Sequence, residues 1–458
     1  MRDHSAEDSY VERTDTSRSY YEEARKHMPG GNTRTGVQHA PHPTYIEAAE
    51  GAYVSDVDGN EYLDFVNNMT SLIHGHGAET VVEPTVEAIR STSAPGAPTP
   101  TEIEYAAHFH ERVPGLDAIR FTNSGTEAVM NAVRAARAHT GNDVIAKIEG
   151  LYHGSFDEVQ VSVHPPLELA GPADAPESVP NIAGVPDSTA ENVLTLPFND
   201  RTAALDRLEA HRDELAGVLV APYMGTKMIP GEEAFIQGLA DWADEAEVPF
   251  IFDEVVSFRF AYGGSHTIYD VTPDVMTFGK VVGGGFPVGA VGGTAEFMSI
   301  FGDSNGGPRI PHSGTFNANL ATVTAGLAAM EAYDQAAVDR LNDLSADLAD
   351  GVEDVLADRN LDIQFHCPSS IFKFYFTADP VENYRDSLNA HADIEKRLFF
   401  ELMDEDIRLA PPSLPTLLGS LSTAMDDADI ERFLDALDVA LARTMPEIQR
   451  YAPTLIAD

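Results

Sequence analysis

Basic residues are scarce in this chain. Among 458 residues, Lys and Arg together number 29 against 74 Asp and Glu, for a formal net charge of −45. That balance argues against nucleic acid or an anionic membrane as partner. Cysteine occurs once, at Cys367, so neither an internal disulfide nor a cysteine zinc cage can form. No run of about 18 apolar residues is present, so no membrane-spanning helix is expected. The N-terminal stretch MRDHSAEDSYVERTDTSRSYYEEARKH lacks the apolar core of a signal peptide, and the expected location is the cytoplasm. The acids are dispersed through amphipathic segments rather than confined to a tail. Such a surface is expected of a protein adapted to high salt, where screening suppresses self-repulsion.

Lysine is the scarcest charged residue, with six in all, at positions 26, 147, 227, 280, 373 and 396. One of them ends an apolar run. The segment from Pro249 to Gly285 contains PFIFD, which stops at Asp253, and VMTFGK, which stops at Lys280 just before a glycine run. Short runs rich in Val, Ile and Phe read as strands buried on both faces of a parallel sheet. Ligands of open α/β sheets sit outside the carboxyl ends of the strands, so an acid and an amine both fall where a ligand would lie. A lysine there can form an imine with an aldehyde cofactor, or simply reach solvent. A phosphate-cradling Gly-Lys motif fits poorly, because Asp274 and Val281 stand where it needs Gly and Ser or Thr.

Hydrophobic residues make up 43%, enough core for one large domain and a smaller one. Residues 1–28 read as a polar arm entering an amphipathic helix, and 44–66 as small antiparallel strands with a turn at Asp58-Gly59-Asn60. A helix is expected near 79–92. From 101 to 330, apolar strands alternate with helices: 119–122, a helix over 126–140, then 144–148, 217–222, 249–253, 275–280 and 287–293. This is the α/β pattern. Residues 163–190 hold six prolines, and so long an irregular stretch suggests a functional loop or lid. From about 318 onward, helices mix with strands at 372–376 and near 418–422. The expected organisation is an N-terminal segment 1–75 joining the small domain and a dimer interface, a large cofactor domain 76–330, and a C-terminal small domain 331–458.

Two further stretches carry chemistry. In FTNSGTEAVMNAVRAAR (121–137), a strand ends and a helix opens. Ser124, Gly125 and Thr126 would offer N–H groups and hydroxyls to a phosphate at a helix N-terminus, although Ser-Gly-Thr is also an ordinary cap. In EGLYHGS (149–155), Tyr152 and His153 could cover an aromatic ring, or be packed loop residues. Together the parts match pyridoxal 5′-phosphate. That cofactor needs a lysine for its aldehyde, a phosphate cradle, an aromatic cover and an acid for its ring nitrogen. Asp253 would be that acid, Val255 would pack on the opposite ring face, and Lys280 would serve as imine partner and proton-transfer base.

The motifs NSGTEA, YHGS, IFDEV, TFGKVVGGGFPVGA and HSGTFNAN, in that order, resemble those of class III, fold-type-I pyridoxal-phosphate aminotransferases. With PGGNTR (29–34) and LAPPS (409–413), the resemblance spans nearly the whole chain. It implies a large, mostly parallel sheet domain with helices on both faces and a smaller α+β domain from both chain ends. It also implies a homodimer with shared active sites, in which Thr315 binds the cofactor phosphate of the neighbouring subunit. Arg34 matches an arginine that binds substrate carboxylate in both branches named below; without the resemblance it reads as a solvated loop residue. Two branches are similar. The region around 184–200 and TFGKVVGGGFPVGAVGG resemble glutamate-1-semialdehyde aminomutase, which moves an amino group within one molecule. PGGNTR and HSGTFNANL look more like β-amino-acid transaminases, which move it from an amino donor to a keto acid. The chain departs from the family at Ala221, where Glu is usual, and at Leu414-Pro415-Thr416, where the aminomutase has a Phe-Glu pair. The main expectation is therefore an aminotransferase with small-molecule partners, with the aminomutase as alternative. A catalytically silent binding protein on the same fold is a third reading, opposed by the presence of both Lys280 and Asp253. His74 and His76 could form a metal pair, but the family has a glycine-histidine loop there, and no metal is expected.

Overall fold

The structure is a computed structural model that describes residues 6–302, 309–411 and 417–457. Among these residues the centre is a seven-stranded sheet. Its strands are β1 (Ala118–Thr122), β2 (Val144–Ile148), β3 (Val193–Leu196), β4 (Leu215–Val220), β5 (Phe250–Asp253), β6 (Val275–Gly279) and β7 (Gly289–Gly293). They lie in the order β1-β7-β6-β5-β4-β2-β3. From β6 to β3 every pairing is parallel, whereas β7 runs antiparallel to both β6 and β1. The expected mostly parallel α/β sheet is thus present. Every residue of β4, β5 and β6 is buried, which is why these strands read as unbroken apolar runs.

Helices cover both faces. The Gly125–Thr140 helix lays Val129, Ala132 and Ala136 on one side, in an apolar cluster with Ile145, Leu219, Ile251 and Val275. The opposite face joins the larger core, which includes Phe109, Phe252, Phe258 and Phe278. That alternation along each strand sets which end residues face the cleft.

The remaining sheets draw on both chain ends. Ile46–Glu50, Tyr53–Asp56 and Glu61–Asp64 form an antiparallel meander. The short strand Ile407–Arg408 then adds parallel to its last member, pairing Ile407 with Leu63. Gln364–His366, Ile371–Tyr375 and Leu418–Ser420 form a second small sheet. The amphipathic helices Gln335–Asp358, Ala392–Asp404 and Asp427–Tyr451 pack beside these strands, the last opened by a capping box of Asp426 and Asp429.

The proline-rich stretch has no regular element until a short 3-10 turn at Asp187–Asn192. It is tied down by Arg385. That guanidinium grips Glu149 through two 2.9 Å bonds and donates to the carbonyls of Ala170, Gly171 and Pro172. Among the described residues only eight of the chain's acids are buried, so the large negative charge is a surface property. No helix of the described residues is long and apolar enough to cross a membrane.

Candidate active site

Strand β5 ends on Asp253, whose side chain turns into the cleft and is 6% exposed. Three donors hold it. Val255 N and Thr277 Oγ1 each donate to Oδ1 at 3.0 Å, and His153 Nδ1 lies 2.7 Å from Oδ2. A carboxylate only accepts, so Nδ1 carries the proton. Burial pushes the His153 pKa down, against the pull of Asp253, which favours the neutral ring with its lone pair on Nε2. That atom is buried and has no partner. The adjacent Glu254 points the other way, to Ser257, Ser265 and His266. Strand alternation decides which acid of the Asp-Glu pair faces the cleft.

Lys280 follows the last residue of β6 with φ of +52°, in the left-handed region that non-glycine residues rarely adopt. Its Nζ donates to Thr70 Oγ1 at 3.2 Å. Burial lowers the amine's pKa to about 8; Asp253 opposes this and Arg259 adds to it. An amine poised there supplies a neutral nucleophile and base near physiological pH.

Thr70 belongs to an unusual turn. Asn67, Asn68, Met69 and Thr70 all have positive φ, from 44° to 69°, so the chain makes a turn of left-handed helix without a glycine. Each such residue costs about 1–2 kcal/mol, and the surroundings enforce it. Arg259, fully buried, donates to Thr70 O at 3.2 Å, and Asn67 Nδ2 donates to Ser420 O at 2.7 Å. Arg34 lies exposed on its loop, and its Nη1 donates to Asn68 Oδ1 at 2.8 Å. In a chain so rich in acids, that cation is held by a neutral amide.

Ser124 caps the Gly125–Thr140 helix, accepting from Glu127 N at 3.2 Å. The N–H groups of Gly125 and Thr126 lie in the first turn, where a helix has no carbonyl of its own to offer them. Backbones crowd here. A Cβ at Gly125 would lie 3.0 Å from both Val255 methyls, and one at Gly279 would lie 3.2 Å from the same side chain. The glycines therefore let the cap, Val255 and the end of β6 converge. Thr126 Oγ1 accepts from Ser155 N at 3.2 Å, joining the Tyr152 loop to the cap. Tyr152 is 51% exposed, with its hydroxyl 3.0 Å from Ser155 Oγ.

The structure thus brings together Asp253, His153, Val255 and Lys280, and sets Ser124, Gly125, Thr126 and Tyr152 around them. It separates the Tyr152-His153 pair: the tyrosine stands open, while the histidine is spent on Asp253 rather than free to cover a ring. Thr315 is exposed on the turn before Leu320, and Asn317 of that turn accepts from Asn123 Nδ2 at 2.8 Å. Ala221 is buried just after β4. Residues 412–416, which include the end of LAPPS and Leu414-Pro415-Thr416, lie outside the described residues. His74 and His76 have separate partners, Thr423 and Ala329 O for one and Asp64 for the other. Sequence reasoning assigned no role to Thr70, Asn68, Thr277 and Arg259; Thr277 opens the TFGK motif, and the other three stand in none of the motifs that carry the resemblance.

These features fit pyridoxal phosphate. There is an amine of lowered pKa, a carboxylate fixed by three donors, a helix cap with unsatisfied N–H groups and glycines that keep the floor of the cleft low. The family model described as aminotransferase class III matches residues 35–363. Glutamate-1-semialdehyde 2,1-aminomutase of Methanothermobacter thermautotrophicus is 36% identical over 93% of this chain and 99% of its own length. A crystal structure of an omega-transaminase from Sphaerobacter thermophilus superposes with a TM-score of 0.90 at 43% identity, covering 94% of this chain and 98% of that one. A transaminase solved with pyridoxal phosphate bound gives 0.87 at 34% identity over 95% and 99%. The chain belongs to the class III aminotransferases.

Proposed function

We propose that this protein moves an amino group on a carboxylate-bearing small molecule, using pyridoxal phosphate at Lys280. The observation that carries the reading is the placing of the Lys280 amine and the triply bonded Asp253 at the ends of neighbouring parallel strands. Bound there, pyridoxal phosphate supplies an electron sink for the charge left when the amine-bearing carbon loses its proton. Asp253 would keep the ring nitrogen protonated. Lys280 would take the proton from that carbon and, in the return half of the transfer, give one to the carbon that receives the amino group. Ser124, Gly125 and Thr126 would hold the phosphate, with Tyr152 and Val255 covering the ring. Arg34 anchors the substrate carboxylate through a charge-assisted contact.

The finer assignment has two forms. The curated relatives support isomerisation within one semialdehyde, since they carry the aminomutase name at 33–36% identity. Transfer between a donor and a keto acid is supported by the 43% identity to the omega-transaminase structure. It is also supported by PGGNTR and HSGTFNANL, and by the absence of the Phe-Glu pair at Leu414-Pro415-Thr416. The curated names favour the first form more than the second. One experiment separates them. The loaded protein is mixed with a panel of single amino acids, and separately with glutamate-1-semialdehyde. A transaminase releases one keto acid per site from a donor alone; an aminomutase turns over the semialdehyde with no second substrate. If neither occurs while cofactor is bound, the protein is a silent member of the fold.

Several wider assignments go with this reading. Segments 1–75 and 331–458 form one small domain around 76–330, as the pairing of Ile407 with Leu63 supports. The protein is a cytoplasmic homodimer, and the exposure of Thr315 suits a residue that acts in the neighbouring subunit. The acidic surface suits high salt.

A further inference from the structure

The Lys280 amine has one hydrogen-bond partner among the described residues, and it is a hydroxyl on the left-handed turn, Thr70 Oγ1 at 3.2 Å. The three buried lysines differ. Lys147 donates to the carbonyls of Ile148 and Val161, Lys227 donates to the carbonyl of Gly150, and Lys373 pairs with Glu395. Those contacts fix each amine to main chain or to a charge. A single hydroxyl can hold an amine and still release it. Thr70 is buried, and its backbone is locked from both sides: Thr70 N donates to Val66 O at 3.0 Å and Arg259 Nη1 donates to Thr70 O. The turn beneath is strained, and Asn67 Oδ1 in it is buried without a partner. Strain kept in place by this many contacts marks a position the fold enforces for a purpose.

We propose that Thr70 is a positioning residue that holds the Lys280 amine toward the reacting carbon, with the left-handed turn Asn67–Thr70 as its rigid mount. The proposal rests on the pyridoxal-phosphate reading above. The charges facing Lys280 are Asp253 and Arg259, and Thr70 adds the one short-range acceptor. A hydrogen bond to the protonated amine favours that form. Removing the hydroxyl therefore lowers the amine's pKa and frees its rotamer.

The test uses full-length protein stripped of cofactor, with pyridoxal phosphate itself as the probe. Lys280 captures the probe when the amine nitrogen replaces the aldehyde oxygen, which leaves as water. The capture rate is followed by absorbance from pH 6 to 10, and borohydride trapping with mass spectrometry confirms the position. For Thr70→Val we expect the midpoint of the profile to move to lower pH and the plateau rate to fall about tenfold. Thr70→Ser restores both, and the melting temperature of each variant stays near that of wild type. A Thr70→Val profile superimposable on wild type in midpoint and plateau overturns the proposal. So does a loss that Thr70→Ser fails to rescue, since the role would then be steric. If Thr70→Val does not fold, Thr70→Ala serves for the same comparison. Wild-type protein that captures the probe elsewhere than Lys280 overturns the underlying reading instead.

Discussion

His153 Nδ1 lies 2.7 Å from Asp253 Oδ2, and the pair is buried. The contact makes the loop after β2 and the end of β5 a single unit. It also assigns the histidine a task, since a neutral ring that donates to Asp253 orients the carboxylate without neutralising it.

Asp253→Asn should retain bound cofactor and lose about two orders of magnitude or more in kcat, the scale of one electrostatic contribution in a closed site. His153→Ala should cost less, about tenfold, the scale of a single hydrogen bond to a charged group. Because burial pushes the His153 pKa below its ordinary value, against the pull of Asp253, any contribution of that ring to the pH profile of kcat should fall on the acid side of a free histidine's. Near-normal turnover of Asp253→Asn would refute the role given to the acid.

Much of the fold was legible because parallel strands buried on both faces leave unbroken apolar runs, and their ends place residues in the cleft. Asp253 and Lys280 were found that way. Scarcity of lysine does not by itself single out Lys280. Lys147, Lys227 and Lys373 are buried, whereas Lys280 is only partly so. What distinguishes Lys280 is its release from carbonyl partners, a tertiary fact that no local pattern encodes. The Asn67–Thr70 turn was invisible for a related reason. Left-handed backbone usually announces itself through glycine, but here distant groups such as Arg259 and Ser420 impose it. The pairing of 407–408 with 63–64 likewise depends on contacts across most of the chain.

The buried lysines make a prediction about stability. Burial lowers the pKa of Lys147 to about 7, with Lys227 adding to the effect and Glu149 opposing it. In the unfolded chain the amine titrates near the ordinary lysine value. Between these values the unfolded state binds the extra proton, so this group makes stability rise with pH, by up to about 1.4 kcal/mol per unit. Below pH 7 both states are protonated and the contribution is flat. In Lys147→Met that slope disappears. The melting temperature of the variant relative to wild type should therefore be least unfavourable near pH 6 and fall toward pH 9. A difference independent of pH would mean that Lys147 is charged in the folded protein throughout.

The surface charge predicts a salt response of unusual size. With a net charge of −45 and few acids buried, self-repulsion should destabilise the fold at low ionic strength. Raising NaCl from 0.1 M to 1 M shortens the screening length from about 10 Å to about 3 Å. The melting temperature should rise by several degrees over that range and keep rising into multimolar KCl. A flat response would remove the basis for calling the surface halophilic.

Thr315 provides a test of assembly that needs no knowledge of the substrate's final identity. The residue stands exposed on a turn whose Asn317 is tied to Asn123, next to the Ser124 cap of the same chain. If Thr315 completes the phosphate site of the neighbouring subunit, each site draws Lys280 from one chain and Thr315 from the other. Lys280→Ala and Thr315→Ala homodimers should then both be inactive or nearly so. When the two are mixed and subunits exchange, each hybrid holds one site with both lesions and one site with none. Up to about half of the sites in a hybrid can recover, and with random pairing about half of all dimers are hybrids. Activity should therefore return toward roughly one quarter of wild type, a rise predicted by no other arrangement of the two residues. If Thr315 instead served its own chain's site, every hybrid would carry one lesion per site. Native mass spectrometry on differentially tagged chains establishes the exchange. Proven hybrids without recovered activity would show that the site lies within a single chain.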